Sequence, residues 1–106
     1  RGELVTVASF PAIAASFNLS ESELYRQALA SFLRERKRQL LQARLEILAR
    51  YGAQSVANLQ SLIAEGSVVE HPAWEDLIVA ENLTASLEEL DAHLASLRKP
   101  ASDRAR

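Results

Sequence analysis

The sequence has no cysteine and no methionine, only three glycines and three prolines, and 6% aromatic residues among 106. Without cysteine the chain cannot form a disulfide or offer a thiolate to a substrate or a metal. The absence is typical of a reducing cytosol, so we expect a cytoplasmic protein. The three glycines are isolated, which excludes a glycine-rich phosphate loop. No apolar run approaches the roughly 20 residues that a membrane-spanning helix needs.

The titratable residues form no recognisable catalytic arrangement. His71 lies beside Glu70 and four residues before Glu75, but a metal site needs three or four ligands. Pro72 places His71 at the mouth of a helix, where a capping or solvated role is expected. His93 lies among acidic residues, where it is expected to be solvated or ion-paired. We therefore expect no enzyme activity, no metal and no cofactor.

The charge is divided unevenly along the chain. Residues 1–50 carry eight lysines or arginines against five acids, a net of +3, and residues 51–106 carry four against nine, a net of −5. The two parts sum to the formal charge of −2. A basic first half and an acidic second half suggest two different partners, one of them anionic. The alternative is that these charges only solvate helix faces.

One stretch, residues 3–10, has the composition of a β-strand, with the β-branched residues Val5, Thr6 and Val7 in a row. A single short strand leaves its backbone groups unpaired. Because the sequence offers no second strand, the expected partner is the same segment of another copy, and the sequence predicts a homodimer.

The rest of the chain predicts helices. Pro11 suits the start of a short helix over 11–17, and the capping box Ser20–Glu23 starts a long helix to about Arg50. Gly52 ends it, Ser55 caps a helix over 55–65, and Gly66 ends that one. Pro72 opens the last helix, which runs to about Leu97. Its seam is coiled-coil-like, with leucine or alanine at 3,4,3,4,3 spacing: Ala80, Leu83, Leu87, Leu90, Leu94 and Leu97.

The predicted fold is mostly α: a short N-terminal strand pairing across a homodimer, then a short helix, a long helix, a short helix and a C-terminal helix. Residues 1–50 form the dimerisation and possible DNA-binding region. Residues 51–98 form an acidic helical arm or bundle segment, and residues 99–106 a flexible tail.

The order of elements, with Ser-Glu-Ser-Glu-Leu-Tyr-Arg-Gln-Ala-Leu at 20–29, resembles the ribbon-helix-helix family of small dimeric bacterial DNA-binding proteins. The resemblance covers Leu4 to about Arg38. The downstream block from Tyr51 to Asp76 resembles small prokaryotic antitoxin-type proteins. The resemblance implies that the N-terminal part dimerises and binds operator DNA as a transcriptional regulator, and that the C-terminal part wraps a toxin.

The resemblance also implies site residues. Thr6 would face the major groove, and the helix start would bind a phosphate. The implied DNA contacts are Thr6, Ser20, Ser22, Arg26, Arg34, Arg36, Lys37 and Arg38. The ribbon departs from the family pattern because it lacks Arg, Lys, Asn or Gln after Arg1.

Two apolar sets complete the predicted sites. The dimer contacts are Val5, Val7, Leu24, Leu29 and Phe32. The contacts to a protein partner are Trp74, Leu83, Leu87, Leu90 and Leu94. Trp74 can instead plug the core beneath the 66–72 loop. A second hypothesis for the whole chain is a helical adaptor or scaffold dimer that binds no nucleic acid.

Overall fold

A computed structural model describes residues 9–98 as four helices: α1 (Phe10–Ser16), α2 (Glu21–Arg50), α3 (Val56–Ala64) and α4 (Glu70–Arg98). Within these residues there is no β-strand. None of the four helices is long and apolar enough to cross a membrane.

The predicted fold, with its strand pairing across a homodimer, is wrong. Phe10, the last residue of the predicted strand, is the first residue of α1, and the Ser9 side chain caps this helix by accepting a hydrogen bond from the Ala12 N–H at 3.2 Å. A serine cap followed by Pro11 in the first turn is a strong helix start. Strand propensity is a weaker signal, since it depends on packing partners. Val5, Thr6 and Val7 lie outside the described residues.

The helix starts follow the predicted caps. The Ser20 hydroxyl accepts from the Glu23 N–H at 3.0 Å, and the Ser55 hydroxyl accepts from the Asn58 N–H at 3.0 Å. Only half of the predicted capping box forms, because the Glu23 carboxylate accepts from Arg26 and Gln27. Serine hydroxyls therefore satisfy an otherwise unpaired backbone donor at the start of both helices.

The helix ends share one motif. After α1, α2 and α3 the chain reverses through a residue in the left-handed region: Asn18 (φ 60°), Gly52 (φ 65°) and Gly66 (φ 79°). In each case the two N–H groups around the turn bond back to carbonyls of the last helical turn, as in Ala53 N–H to Leu48 C=O at 2.9 Å. The predicted helix ends at these three residues are confirmed.

The long helices α2 and α4 pack antiparallel along a seam. On α2 the seam residues recur every three or four positions, and none of them is fully exposed: Arg26, Ala30, Leu33, Lys37, Leu40, Arg44 and Ile47. His71 has a non-helical backbone (φ −111°, ψ 120°), so the regular part of α4 begins at Pro72, as predicted. The Cα atoms extend over 60 × 46 × 16 Å, a thickness of roughly two helix layers.

The hydrophobic core is divided between the two ends of this hairpin. At the end near Tyr51, which we call the closed end, α3 packs against α4, and buried residues of α2, α3 and α4 form one cluster: Ile47, Leu48, Leu59, Ile63, Ala73, Leu77 and Ala80. At the other end, the open end, only α2 and α4 contribute, through Ala30, Leu90 and Leu94 with half-buried Leu33, Leu40 and Leu97. Each cluster therefore joins α2, which ends at residue 50, to helices that follow it in the chain.

Complementary charges join the two long helices. Helix α2 carries seven lysines or arginines against four acids, and α4 one arginine against seven acids. Lys37 Nζ lies 2.8 Å from Asp91 Oδ1, and Arg50 Nη1 lies 3.2 Å from Asp76 Oδ2. Part of the charge asymmetry seen in the sequence is therefore used within the chain.

Candidate protein-interaction surfaces

The four basic residues at 34–38 do not all lie on one face of α2. Consecutive helical residues point about 100° apart, so Arg34, Lys37 and Arg38, at three- and four-residue spacing, share one broad face, while Arg36 points away from it. Lys37 reaches α4, while Arg38 pairs with Glu35 at 2.7 Å. Arg36 donates to the Gln39 side chain at 3.1 Å. Pairing of Lys37 and Arg38 with acids of the chain, and the separate direction of Arg36, divide the basic cluster that the sequence suggests.

The start of α2 is also occupied by its own side chains. Ser20 is used as the cap, Ser22 is exposed, and Glu21 and Glu23 already lie at the positive end of the helix dipole. Hydrogen bonds from Gln27 and Arg26 lower the pKa of the Glu23 carboxyl. Arg26 is thereby paired with an acid of the same helix. Thr6, the predicted base contact, lies outside the described residues.

The leucine seam of α4 lies inside the chain. Leu87, Leu90 and Leu94 are 5%, 6% and 9% exposed, and Leu83 is half-buried against the core of the closed end. Because they face α2, these four leucines are not available to a partner in this conformation. Trp74, the fifth residue predicted to contact a partner, is 43% exposed.

Of the predicted dimer contacts within the described residues, Phe32 is exposed, and Leu24 and Leu29 are half-buried. Val5 and Val7 lie outside this part of the chain.

The aromatic side chains lie mostly on the surface. Five of the six are exposed, and the sixth, Tyr51, is half-buried: Phe10, Phe17, Tyr25, Phe32 and Trp74 make up the exposed set. The buried core consists only of leucine, isoleucine and alanine. Aromatic rings carry large apolar area and are enriched at protein interfaces. Three of the exposed rings, Tyr25, Phe32 and Trp74, lie on two stripes of the long helices.

The first surface is a stripe on α4 that faces away from α2. Its residues repeat at 4,3,4,3,4 spacing and all are exposed: Trp74, Ile78, Glu81, Ala85, Glu88 and Ala92. We call this the outer stripe. Trp74 taken alone in the sequence does not reveal this stripe. The usable signal was that Ala73, its neighbour, continues the spacing of the leucine seam, which leaves the tryptophan one position off the core face.

The outer stripe is acidic. Between Pro72 and Leu97 the sequence has six acids and no lysine or arginine. Asp76 and Asp91 turn toward α2, and Glu75 lies 3.7 Å from the His71 ring. Among the described residues, Glu81, Glu88 and Glu89 make no ion pair. The stripe therefore combines two apolar side chains at one end with unpaired carboxylates along its length.

The second surface lies on the N-terminal half of α2, about a third of a turn around the helix from the seam. It consists of Glu21, Tyr25, Ala28 and Phe32, all exposed, and we call it the lateral stripe. Leu29 borders it and also lines a shallow groove between α2 and α4. Tyr25 and Phe32 are 60% and 64% exposed, so most of both rings has no neighbour within the described chain.

Nothing in residues 9–98 gathers three or more potential metal ligands. The fold and its surfaces define a helical-hairpin protein with two exposed stripes. The chain matches the model of the uncharacterized protein MJ0235 family over residues 9–102, and it belongs to that family. This match carries no ribbon-helix-helix or antitoxin assignment. No curated protein and no solved structure matches the chain.

Proposed function

We propose that the protein is a helical interaction module that binds a basic, amphipathic segment of another protein along the outer stripe of α4. The observation that carries this proposal is the stripe itself: Trp74 and Ile78 are 43% and 53% exposed on a helix face that has carboxylates and no basic side chain. The proposal keeps the adaptor hypothesis drawn from the sequence, but it places the contact on the face of α4 opposite the leucine seam.

The spacing of the outer stripe suits a helical partner. Residues at 4,3 spacing form a straight line that a second helix can follow over several turns. Trp74 and Ile78 would bury apolar area in that contact, and Ala85 and Ala92 would let the partner backbone approach. Lysine or arginine on the partner would pair with Glu81 and Glu88, adding specificity and speeding association.

An antitoxin-like role is the second candidate, favoured by the same acidic face. A toxin with a basic surface is a partner of this chemistry, and the stripe would bind and mask that surface. Operator DNA binding is not part of the proposal, because Arg26, Lys37 and Arg38 pair with acids of the chain.

The only tryptophan of the chain lies on the proposed surface, so its fluorescence reports binding directly. We would titrate the protein with a lysine-rich amphipathic helical peptide that lacks tryptophan, and with a glutamate-rich peptide that has the same apolar face. The basic peptide should shift the Trp74 emission to shorter wavelength in a saturable way, and the affinity should fall as salt rises. The acidic peptide should produce no shift.

Charge-reversal variants locate the contact. Glu81→Lys/Glu88→Lys should abolish the shift, while Glu46→Lys/Glu65→Lys makes the same change in net charge away from the stripe and should keep it. Equal loss in both double variants would show that the peptide responds only to overall charge. No shift with the basic peptide would overturn the proposal.

A further inference from the structure

We propose that a second copy of this chain docks antiparallel on the lateral stripe of α2 and forms a two-fold symmetric dimer. The lateral stripe lies on a different helix from the outer stripe, so this inference goes beyond the proposed function and does not depend on it.

The lateral stripe exposes more apolar area than a solvated helix face normally does. Tyr25 and Phe32 lie two turns apart on one line, with Ala28 between them, and both rings are mostly exposed. A fully buried ring of this kind covers about 150–250 Å², and Tyr25 and Phe32 are 60% and 64% exposed, so two rings per copy, with Leu29 beside them, supply part of the roughly 800 Å² per partner of a standard interface. The groove lined by Leu29, Leu33 and Leu97 extends the same surface toward α4.

The charges on the stripe fit an antiparallel copy. If the two-fold axis passes between Ala28 and Leu29, position n of one helix lies opposite position 57 − n of the other. Tyr25 then faces Phe32 of the second copy, and Glu21 faces Arg36 of the second copy. The two-fold symmetry repeats both contacts, so an ion pair closes each end of a short aromatic interface.

Glu21 and Arg36 are suited to this role. Both are exposed, neither makes an ion pair with a described residue, and Arg36 donates a hydrogen bond to the neutral Gln39 side chain. A parallel arrangement in register would instead set Glu21 against Glu21 and Arg36 against Arg36, which like-charge repulsion disfavours. Ala28 lies next to the axis, where its small side chain lets the two helices approach closely. The stripe is therefore self-complementary only when the copies run in opposite directions.

Sedimentation velocity over a concentration series tests the dimer. The unmodified protein should associate in the micromolar range, and Phe32→Ser should weaken association at least about tenfold, as expected for an aromatic contact at an interface centre. Leu45→Ser is the matched control, because Leu45 is 59% exposed on another face of the same helix. Circular dichroism should show unchanged helix content in both variants, since neither side chain is buried.

A charge swap tests the alignment. Glu21→Arg and Arg36→Glu should each weaken the dimer, and the double variant Glu21→Arg/Arg36→Glu should restore it.

Because the chain has no cysteine, cross-linking gives a second readout of direction. A mixture of Glu21→Cys and Arg36→Cys proteins should form a disulfide between the two variants faster than either variant forms one with itself.

The outcomes separate the two proposals. A monomer at about 100 μM, or a dimer that Phe32→Ser leaves unchanged, overturns the second-copy assignment. Faster self-linking of each cysteine variant overturns the antiparallel alignment. The Phe32→Ser protein should still give the Trp74 fluorescence shift with the basic peptide, so failure of the dimer leaves the outer-stripe result intact. Likewise, failure of the basic peptide to bind leaves the sedimentation result for the dimer intact.

Discussion

The two ends of the α2–α4 hairpin are built differently. At the closed end three helices meet, and the side chains between them are fully shielded: Leu59 is 0% exposed and Leu77 is 1% exposed. At the open end the core cluster comes from two helices only, and its leucines Leu90 and Leu94 remain 6% and 9% exposed. The difference comes from α3, which covers one end of the hairpin and not the other.

A helix buries only the stripes of its surface that its neighbours cover. In the N-terminal half of α2 the apolar residues wrap further around the helix than α1 and α4 cover, which leaves Tyr25 and Phe32 outside. A second copy would cover the side of α2 that these two neighbours leave exposed. The comparison thus gives a structural reason why the proposed dimer contact lies on this half of α2.

The largest effect should follow truncation at the closed end. Leu77→Ala removes a side chain that three helices surround, and we expect a loss of about 3–5 kcal/mol in the free energy of unfolding. Urea denaturation followed by circular dichroism measures it. Ile78→Ala is the matched control, because Ile78 is the next residue of α4 and is 53% exposed. A loss below about 1 kcal/mol for Leu77→Ala would show that the closed end is not the better-packed core.

The same truncation at the open end should cost less. Leu90→Ala also deletes a buried seam leucine, but its neighbours come from two helices and can relax around the gap, so we expect about 2 kcal/mol. The measurement is the same urea titration, run at a protein concentration where the Phe32→Ser background is monomeric. If Leu90→Ala and Leu77→Ala lose the same free energy of unfolding, the two ends of the hairpin are equally well packed.

Local signals in the sequence predicted the helices well. Ser20, Ser55 and Pro72 mark helix starts, and the two serine hydroxyls each accept a hydrogen bond from a backbone N–H of the first turn. Asn18, Gly52 and Gly66 mark helix ends, because each adopts the left-handed backbone conformation that terminates a helix. The strand prediction was wrong at Ser9 and Phe10, where a serine cap and Pro11 start a helix. Strand propensity is a weaker signal than a helix cap, because it depends on what the strand pairs with.

The surfaces were harder to predict than the helices. The 3,4 spacing of Leu87, Leu90 and Leu94 correctly indicates an apolar seam, but spacing cannot say whether the seam meets α2 of the same chain or another protein. The basic residues between Arg34 and Arg38 look like one cluster in the sequence, which does not show that Arg36 points away from the others or that Lys37 and Arg38 pair with acids. In the sequence, Tyr25 and Trp74 each lie one position away from a seam residue, and this placement could have revealed both stripes.

A polar contact at the closed end should make its stability depend on pH. The Tyr51 hydroxyl donates a hydrogen bond to the Asp76 carboxylate, and this bond raises the pKa of Tyr51 above its ordinary value near 10. A raised pKa means that folding favours the protonated phenol, so the contribution is complete below pH 10 and is lost as the pH rises through the folded-state pKa. Tyr51→Phe should cost about 1 kcal/mol at neutral pH and should flatten the alkaline slope. An unchanged slope in the variant would assign the pH dependence to other groups.

The smallest effect should come from the ion pair at the open end. Lys37 and Asp91 are 2.8 Å apart, but their side chains are 37% and 52% exposed, so water and salt screen the attraction and the pair should be worth about 0.5 kcal/mol or less. A double-mutant cycle with Lys37→Gln and Asp91→Asn, measured by urea unfolding at low and high salt, isolates the coupling. The cycle around Arg50 and Asp76 at the closed end is the matched comparison. A coupling above about 1 kcal/mol for Lys37 and Asp91 would mean that charge, rather than packing, holds the open end together.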